Sequence, residues 1–365
     1  MSTNRRIYLD HNATSPLVAA ARAAMIAAMA DVGNPSSVHA EGRRMRDHIE
    51  RARNQVAALV GRPREQVVFT SGGTEANWLG VLAVAAVAEA RGRPRVVATT
   101  PIEHPSLLGA VAELERRGWR RVRLDAGLQA GDVGVCAFAA VNHELGSVEA
   151  MLRASAALVA SGVPVHVDAV QAAGKLPLAE IAADSIAISA HKIGGPQGVG
   201  ALATTADDGL PLVDAGHQER GRRPGTENTL GIVGFGAAAG ALDLAAWPRV
   251  AALGDRLEAG LRAMGARIHG DDRERAGGTV NAGFAGARGE SIVMGLDLAG
   301  IAASTGAACT SGSIQPSAVL LGLGYTPEMA REAVRFSVGR TNEEAEIDVV
   351  IRTLPDIVER ARRHR

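Results

Sequence analysis

The sequence predicts an α/β protein: a large domain built on a mostly parallel sheet, followed by a smaller α+β C-terminal domain. Three observations carry this. Over the first two-thirds of the chain, strand-length apolar runs alternate with helix-period segments. Those runs are apolar throughout rather than at every second residue, as in strands covered on both faces. Near Trp247 the alternation gives way to a long helical pattern and a different arrangement. A chain of 365 residues has enough length for one large and one small core.

Taken in order, "QVVFT" (66–70) precedes a helical pattern from Thr74 to Ala90, and "RVVATT" (95–100) precedes "PSLLGAVAELERRG". "VGVCAFAAV" (133–141) leads to the helix around Met151 to Ala160, and "VPVHVDAV" (163–170), "DSIAISA" (184–190) and "GVGALATT" (198–205) complete the sheet. The second domain opens with "RVAALGDRLEAGLRAMGA", passes through "GGTVNAGFAG", "GESIVMGLDLAG" and "AVRFSVGR", and ends in a helix from Asn342. Pro248 and the glycine-rich run "GFGAAAGA" bracket the expected boundary. The domains are therefore expected at 15–246 and at 247–365, the latter joined by the N-terminal segment 1–14.

Composition excludes several classes. With 39 basic and 39 acidic residues there is no electrostatic footprint for nucleic acid, and the tail "RARRHR" reads as the solvated face of an amphipathic helix. The longest apolar stretch, "VLAVAAVAEA" (81–90), is too short to span a bilayer, and the start lacks the apolar core of a signal peptide. Two cysteines, Cys136 and Cys309, make neither a disulfide framework nor a CxxC metal site. A cytoplasmic protein with no membrane, nucleic-acid or metal partner is expected.

The chemistry begins with "SAHKIGGPQG" (189–198). Only two lysines, Lys175 and Lys192, stand among the 39 basic residues. Arginine keeps charge and reach but stays protonated, whereas an amine sheds its proton and forms an imine. Lys192 therefore reads as chemical rather than merely cationic. "HVDAVQAAGK" places Asp168 at the carboxyl end of an apolar strand, where open α/β sheets bind ligands. A buried carboxylate there needs a partner, either a protonated cofactor nitrogen or the next turn it caps. "FTSGGTEAN" ends a strand and opens a helix at Thr74, which reads as a phosphate nest or as an ordinary helix start complemented by Glu75. Phosphate nest, carboxylate and lysine together form the layout of a pyridoxal phosphate site.

Three further residues suit such a site. In "IEHPS", His104 can stack on a flat ring or act as acid and base, or simply begin a helix. In "ASTGAACTSGS", Cys309 sits among small polar residues that expose a thiol, unlike Cys136 in its apolar strand. In "RFSVGR", Arg335 offers a guanidinium fork for a carboxylate.

These stretches together resemble the cysteine desulfurases of the NifS type, a branch of the class V aminotransferases among pyridoxal phosphate enzymes of fold type I. The resemblance rests on "YLDHNATSP", "GNPSSVHAEG", "FTSGGTEAN", "EHPS", "HVDAVQAAGK", "SAHKIGGPQGVGAL", "GHQERGRRPGTEN", "STGAACTSGSIQPS" and "RFSVGR", nine motifs in order along nearly the whole chain. It implies pyridoxal 5′-phosphate bound to Lys192, Asp168 on the ring nitrogen, His104 stacked on the ring and Gln171 on the phenolic oxygen. Gly73, Thr74, Ser189 and His191 would hold the phosphate, joined by Thr226 from a partner subunit, so that a homodimer is implied. Arg335 with Asn34 would bind the carboxylate of L-cysteine. Cys309 would take the sulfur as a persulfide, releasing alanine and delivering sulfur to an acceptor protein such as an iron–sulfur scaffold.

The chain departs from the family in "VNHELG", where His143 stands in place of an asparagine that contacts the phenolic oxygen. The alternatives are a selenocysteine lyase or another class V reaction, and, outside catalysis, a silent scaffold of the same fold. An exposed thiol in the Cys309 loop favours sulfur transfer over transamination.

Overall fold

The computed structural model describes residues 6–125, 127–206, 215–306 and 315–363. The chain forms two compact units. The larger comprises residues 15–141 and 149–244, and the smaller comprises 1–14, 142–148 and 245–365. The segment 142–148, expected from sequence within the large domain, counts with the smaller unit.

The larger unit is organised on seven strands: β1 (Val67–Thr70), β2 (Val96–Thr99), β3 (Arg120–Arg123), β4 (Val135–Ala139), β5 (Val165–Asp168), β6 (Ser185–Ser189) and β7 (Gly200–Thr204). Their order across the sheet is β1-β7-β6-β5-β4-β2-β3. All pairings are parallel except those of β7, which runs antiparallel to both β1 and β6. Every strand but β3 is buried along nearly its whole length, so the expectation of a mostly parallel, doubly covered sheet holds. Only β3 escapes the sequence pattern. Its residues "RRVR" lie at the sheet edge and are largely exposed, so no apolar run marks them, and edge charge deters further pairing.

Six helices accompany the sheet: α1 (Ala19–Ala28), α2 (Ala40–Val60), α3 (Gly73–Ala90), α4 (Pro105–Arg116), α5 (Met151–Ala160) and α6 (Thr229–Gly240). Helix α3 lies across β5, β6 and β7 and is buried on most sides, which explains why "VLAVAAVA" is apolar without being membrane-directed. Among the described residues no single helix is long and apolar enough to cross a membrane. The run "GFGAAAGA" lies largely inside α6 rather than in a linker. A Cβ on Gly236 would stand 2.5 Å from Ala52 Cα of α2, so the glycine is there for close helix packing. Pro248 likewise occupies the first turn of the helix Trp247–Ala263, where its missing N–H costs nothing.

In the smaller unit, strand Thr279–Gly283 pairs antiparallel with Ala333–Ser337 on one side and Arg267–Ile268 on the other, while Ile7–Tyr8 pairs parallel with Ile301–Ala302. Apolar residues of these strands and of helices Trp247–Ala263, Gly289–Leu298 and Glu344–Arg363 share one core. The last helix buries Ile347, Val350, Leu354, Ile357 and Ala361 at helical spacing and leaves Arg360, Arg362 and Arg363 exposed.

A buried ion pair fixes one loop of the larger unit. Arg53 of α2 meets Glu219 in a two-pronged pair, both contacts at 2.7 Å, with the Phe69 N–H also donating to Glu219 at 2.8 Å. Glu219 and Arg220 carry left-handed backbone at φ 48° and 59°, a strain that fixed surroundings must hold. Arg53→Met is expected to lower unfolding free energy by about 3–5 kcal/mol, as for one member of a buried pair. Adding Glu219→Leu should recover part of that loss, though not the Phe69 hydrogen bond; urea denaturation checks both.

Candidate active site

Parallel neighbours β5 and β6 carry the two expected residues to the same edge. Asp168 is the last residue of β5, only 5% exposed. Its Oδ1 accepts from the Val170 N–H at 2.9 Å and its Oδ2 from Asn77 Nδ2 at 2.7 Å. Burial raises its pKa, while those hydrogen bonds and the charges of His104 and Lys192 act the other way. Lys192 ends the short 3-10 turn that follows β6. Its turn is tied down by Ser15, whose N–H donates to His191 O at 2.8 Å and whose hydroxyl donates to Lys192 O at 3.0 Å. Lys192 thus bears electrostatically on Asp168, His104 and His191.

His104 fulfils the modest half of its expectation by capping α4: its Nδ1 accepts from the Ser106 N–H at 3.1 Å and meets the Ser106 hydroxyl at 2.7 Å. Burial lowers its pKa, favouring the neutral ring. Gln171 is buried in the turn after β5, and its Oε1 accepts from Lys175 Nζ at 3.1 Å, which turns the amide's N–H pair to the opposite side. Ser189 closes β6 and is buried. His191 drops to about 4 through burial and the charge of Lys192.

Helix α3 opens at Gly73 with no side-chain cap from Gly72. A Cβ at Gly73 would lie 2.7 Å from Val170, so only glycine fits against the turn after Asp168. Thr74 is exposed in the first helical turn. Glu75 accepts from the Ser71 N–H at 2.8 Å and pairs with Arg223 at 2.9 Å, so the ordinary helix-start role assigned to it is real. Asn34 folds an Asx turn onto the Ser36 N–H at 2.9 Å, and it and Thr226 are exposed.

In the smaller unit, Arg335 is 5% exposed and pairs with Asp10 at 2.7 Å. It also donates to the carbonyl of His143 at 3.2 Å, an oxygen that Asn12 reaches at 3.1 Å. The Arg335 Nε finds no hydrogen-bond partner among the described residues. The His143 ring stands 3.8 Å from Glu144. Burial pushes the Glu144 carboxyl up to about 7, opposed by Ser317, which donates to it at 2.5 Å, and by Arg335. Cys309 lies outside the described residues. Cys136 is buried in β4, and burial raises its thiol to about 12, which makes it inert.

Asn77 and Ser106 were not expected from sequence, although both lie in quoted motifs. Asn77 sits one turn into α3, where helical spacing turns it toward Asp168. The third unexpected residue is Glu103, beside His104: it accepts from the Thr100 hydroxyl at 2.6 Å and the Ala139 N–H at 2.8 Å.

The chain belongs to the class-V aminotransferase family, whose model matches residues 7–350. Pyridoxal 5′-phosphate is the family's cofactor, and the residues here fit it. A dry carboxylate suits a protonated ring nitrogen, the tethered amine suits an aldehyde, and the glycine-lined helix start suits a phosphate. Within that family the chain is similar to a protein described as cysteine desulfurase in Trichormus azollae, 40% identical over 98% of this chain and 94% of the relative. It is similar in structure to a NifS-like protein, with TM-score 0.87 and 30% identity over 97% of this chain and 99% of the other. A structure of SspA in complex with cysteine gives TM-score 0.77 and 26% identity over 91% of this chain and 98% of the other.

Glu103 yields a prediction. Burial pushes its carboxyl from an ordinary 4.5 up to about 8. A group with a raised folded-state pKa favours folding most below its unfolded pKa and loses that contribution as pH rises through the folded value. Glu103→Gln, which mimics the protonated acid, should flatten the decline in stability between pH 4.5 and 8. Denaturation midpoints across that window check it.

Proposed function

We propose that the enzyme converts L-cysteine to L-alanine and moves the sulfur to Cys309 as a persulfide, from which an acceptor protein takes it. The full-length similarity to cysteine desulfurases supports the activity. The observation that carries the reading is the pairing of a buried carboxylate, Asp168, with a retained lysine, Lys192, on neighbouring strand ends. When bound, the cofactor supplies an electron sink that labilises the substrate's Cα proton and its Cβ–S bond.

The residues divide the remaining work. Lys192 holds the cofactor and moves a proton at its Nζ. Asp168 keeps the ring nitrogen protonated, His104 covers the ring, and Gln171 and His143 donate to the phenolic oxygen. Gly73, Thr74, Ser189 and His191 hold the phosphate, aided by Thr226 from a second subunit of a homodimer. Arg335 and Asn34 orient the substrate carboxylate. Cys309, as thiolate, forms the new S–S bond while the Cβ–S bond breaks, and the electron pair left on carbon is later protonated. The acceptor is a protein able to receive sulfane sulfur, such as an iron–sulfur scaffold, in the cytoplasm.

Two substitutions test this. Lys192→Ala should remove the visible absorption band of the bound cofactor and lower alanine formation by at least about 10²–10⁴-fold, the range for a positioned acid–base group; a retained band means another amine holds the cofactor. Cys309→Ala should keep the band and its change on adding cysteine, yet abolish sulfide release with a reductant. Undiminished sulfide would remove Cys309 from the reaction.

A further inference from the structure

Behind Asp168 lies a chain of hydrogen bonds in residues to which no role has yet been assigned. His166, two residues before Asp168 on β5, has no solvent exposure, and neither has Ser185 at the start of β6. The His166 Nδ1 meets the Ser185 hydroxyl at 2.9 Å, and its Nε2 meets Asn77 Oδ1 at 3.1 Å. Asn77, 1% exposed, spends its two N–H bonds on Asp168 Oδ2 at 2.7 Å and Ser106 Oγ at 2.9 Å.

Counting donors fixes the direction of every bond. With both its N–H bonds committed, Asn77 presents only an acceptor to His166, so His166 Nε2 carries a proton. Burial drops the His166 imidazole to about 3, so the ring is neutral and its Nδ1 accepts from Ser185. At the other end, Ser106 accepts from Asn77 and therefore donates to His104 Nδ1, which also accepts the Ser106 N–H. The neutral His104 ring must then hold its proton on Nε2. One buried histidine thus sets the polarity of two branches, one ending at Asp168 and one at His104. The fold makes room for it, since a Cβ on Gly80 of α3 would stand 2.4 Å from the His166 ring.

The geometry points to His166 as a positioning residue, one that locks the Asn77 amide with its donors toward Asp168 and Ser106 and so maintains the carboxylate of Asp168 and the tautomer of His104. The inference rests on the assignment of Asp168 to the cofactor's ring nitrogen. Without a donor at Oδ1 the amide is free to turn, placing an oxygen against the Asp168 carboxylate. That disfavours the ionised aspartate and, through it, a protonated ring nitrogen, whose positive charge otherwise eases deprotonation at the Lys192 nitrogen.

The experiment uses the holoenzyme. His166→Phe keeps a flat ring but removes the donor, whereas His166→Gln keeps an N–H near the position of Nε2. The pH midpoint of the bound cofactor's visible absorption should rise by about one unit in the Phe variant, the scale on which a lost hydrogen bond shifts an ionisation, and should stay with the parent in the Gln variant. A midpoint unmoved in the Phe variant would overturn the proposal, as would one displaced equally in both. Nitrogen-15 NMR of the parent gives a second measurement, independent of any variant's folding. His166 should remain neutral with its proton on Nε2 across the neutral range, and a charged ring or the other tautomer there refutes the chain. A parent protein that never acquires the cofactor band would overturn the assignment of Asp168, whereas the tautomer measurement judges the hydrogen-bond chain by itself.

Discussion

Asp168 imposes the constraint that organises the larger unit. A carboxylate removed from water costs several kcal/mol even after its surroundings relax, and this one sits at the end of a central strand with 5% exposure. The Val170 N–H and the Asn77 amide offset part of that cost. They do not remove it, because burial still raises the pKa of the group. The protein's own atoms therefore leave a site whose anion is only partly stabilised. In the proposed function a protonated aromatic nitrogen, delivered with the cofactor, would supply the remaining cation. That deficit suits a group that brings positive charge on a flat ring.

The sheet and its helices make this arrangement possible through two close approaches. Helix α3 must lie near enough for Asn77 to reach Asp168 while its first turn lies against Val170. Gly73 permits the second contact and Gly80 permits the burial of His166 between helix and strand. A side chain at either position would lift α3 from the sheet and separate the helix start from the carboxylate. The start of α3 and the aspartate are thus set by one packing distance rather than placed independently. Parallel pairing of β5 with β6 then brings the turn bearing Lys192 out on the same edge.

Much of this was legible in the sequence, and the gaps have physical causes. Apolar runs revealed the buried strands because burial on both faces leaves no polar positions, and the edge strand β3 stayed hidden because exposed arginines erase that signal. Glycines in α6 resembled a linker because composition does not distinguish a flexible segment from a helix packed at close range. Asp168, Ser189 and Lys192 stood at or just after strand ends in recognisable motifs. Asn77, His166 and Ser185 did not stand out, since each looks like an ordinary member of a helix or strand. The available signal was a histidine inside the otherwise apolar "VPVHVDAV", where burial demands partners that only the tertiary structure names.

The scarcity of lysine acquires its meaning here. Arginine serves nearly everywhere a positive charge is needed, including the buried pair with Glu219 and the pair with Asp10, because its planar fork matches carboxylates and never loses its proton. Each of the two lysines sits in a turn that follows a central strand, Lys175 after β5 and Lys192 after β6. At position 175 a single compact ammonium reaches one turn back to Gln171 Oε1 and so decides which face of that amide donates. At position 192 the role proposed is stricter, because imine formation and proton movement are open to an amine and closed to a guanidinium that keeps its proton. Burial disfavours the positive form of both neighbouring imidazoles, His104 and His191, the latter falling to about 4, so neutral rings stand beside the amine. Among 39 basic residues the two lysines thus stand 17 positions apart, in the turns that follow the neighbouring strands β5 and β6.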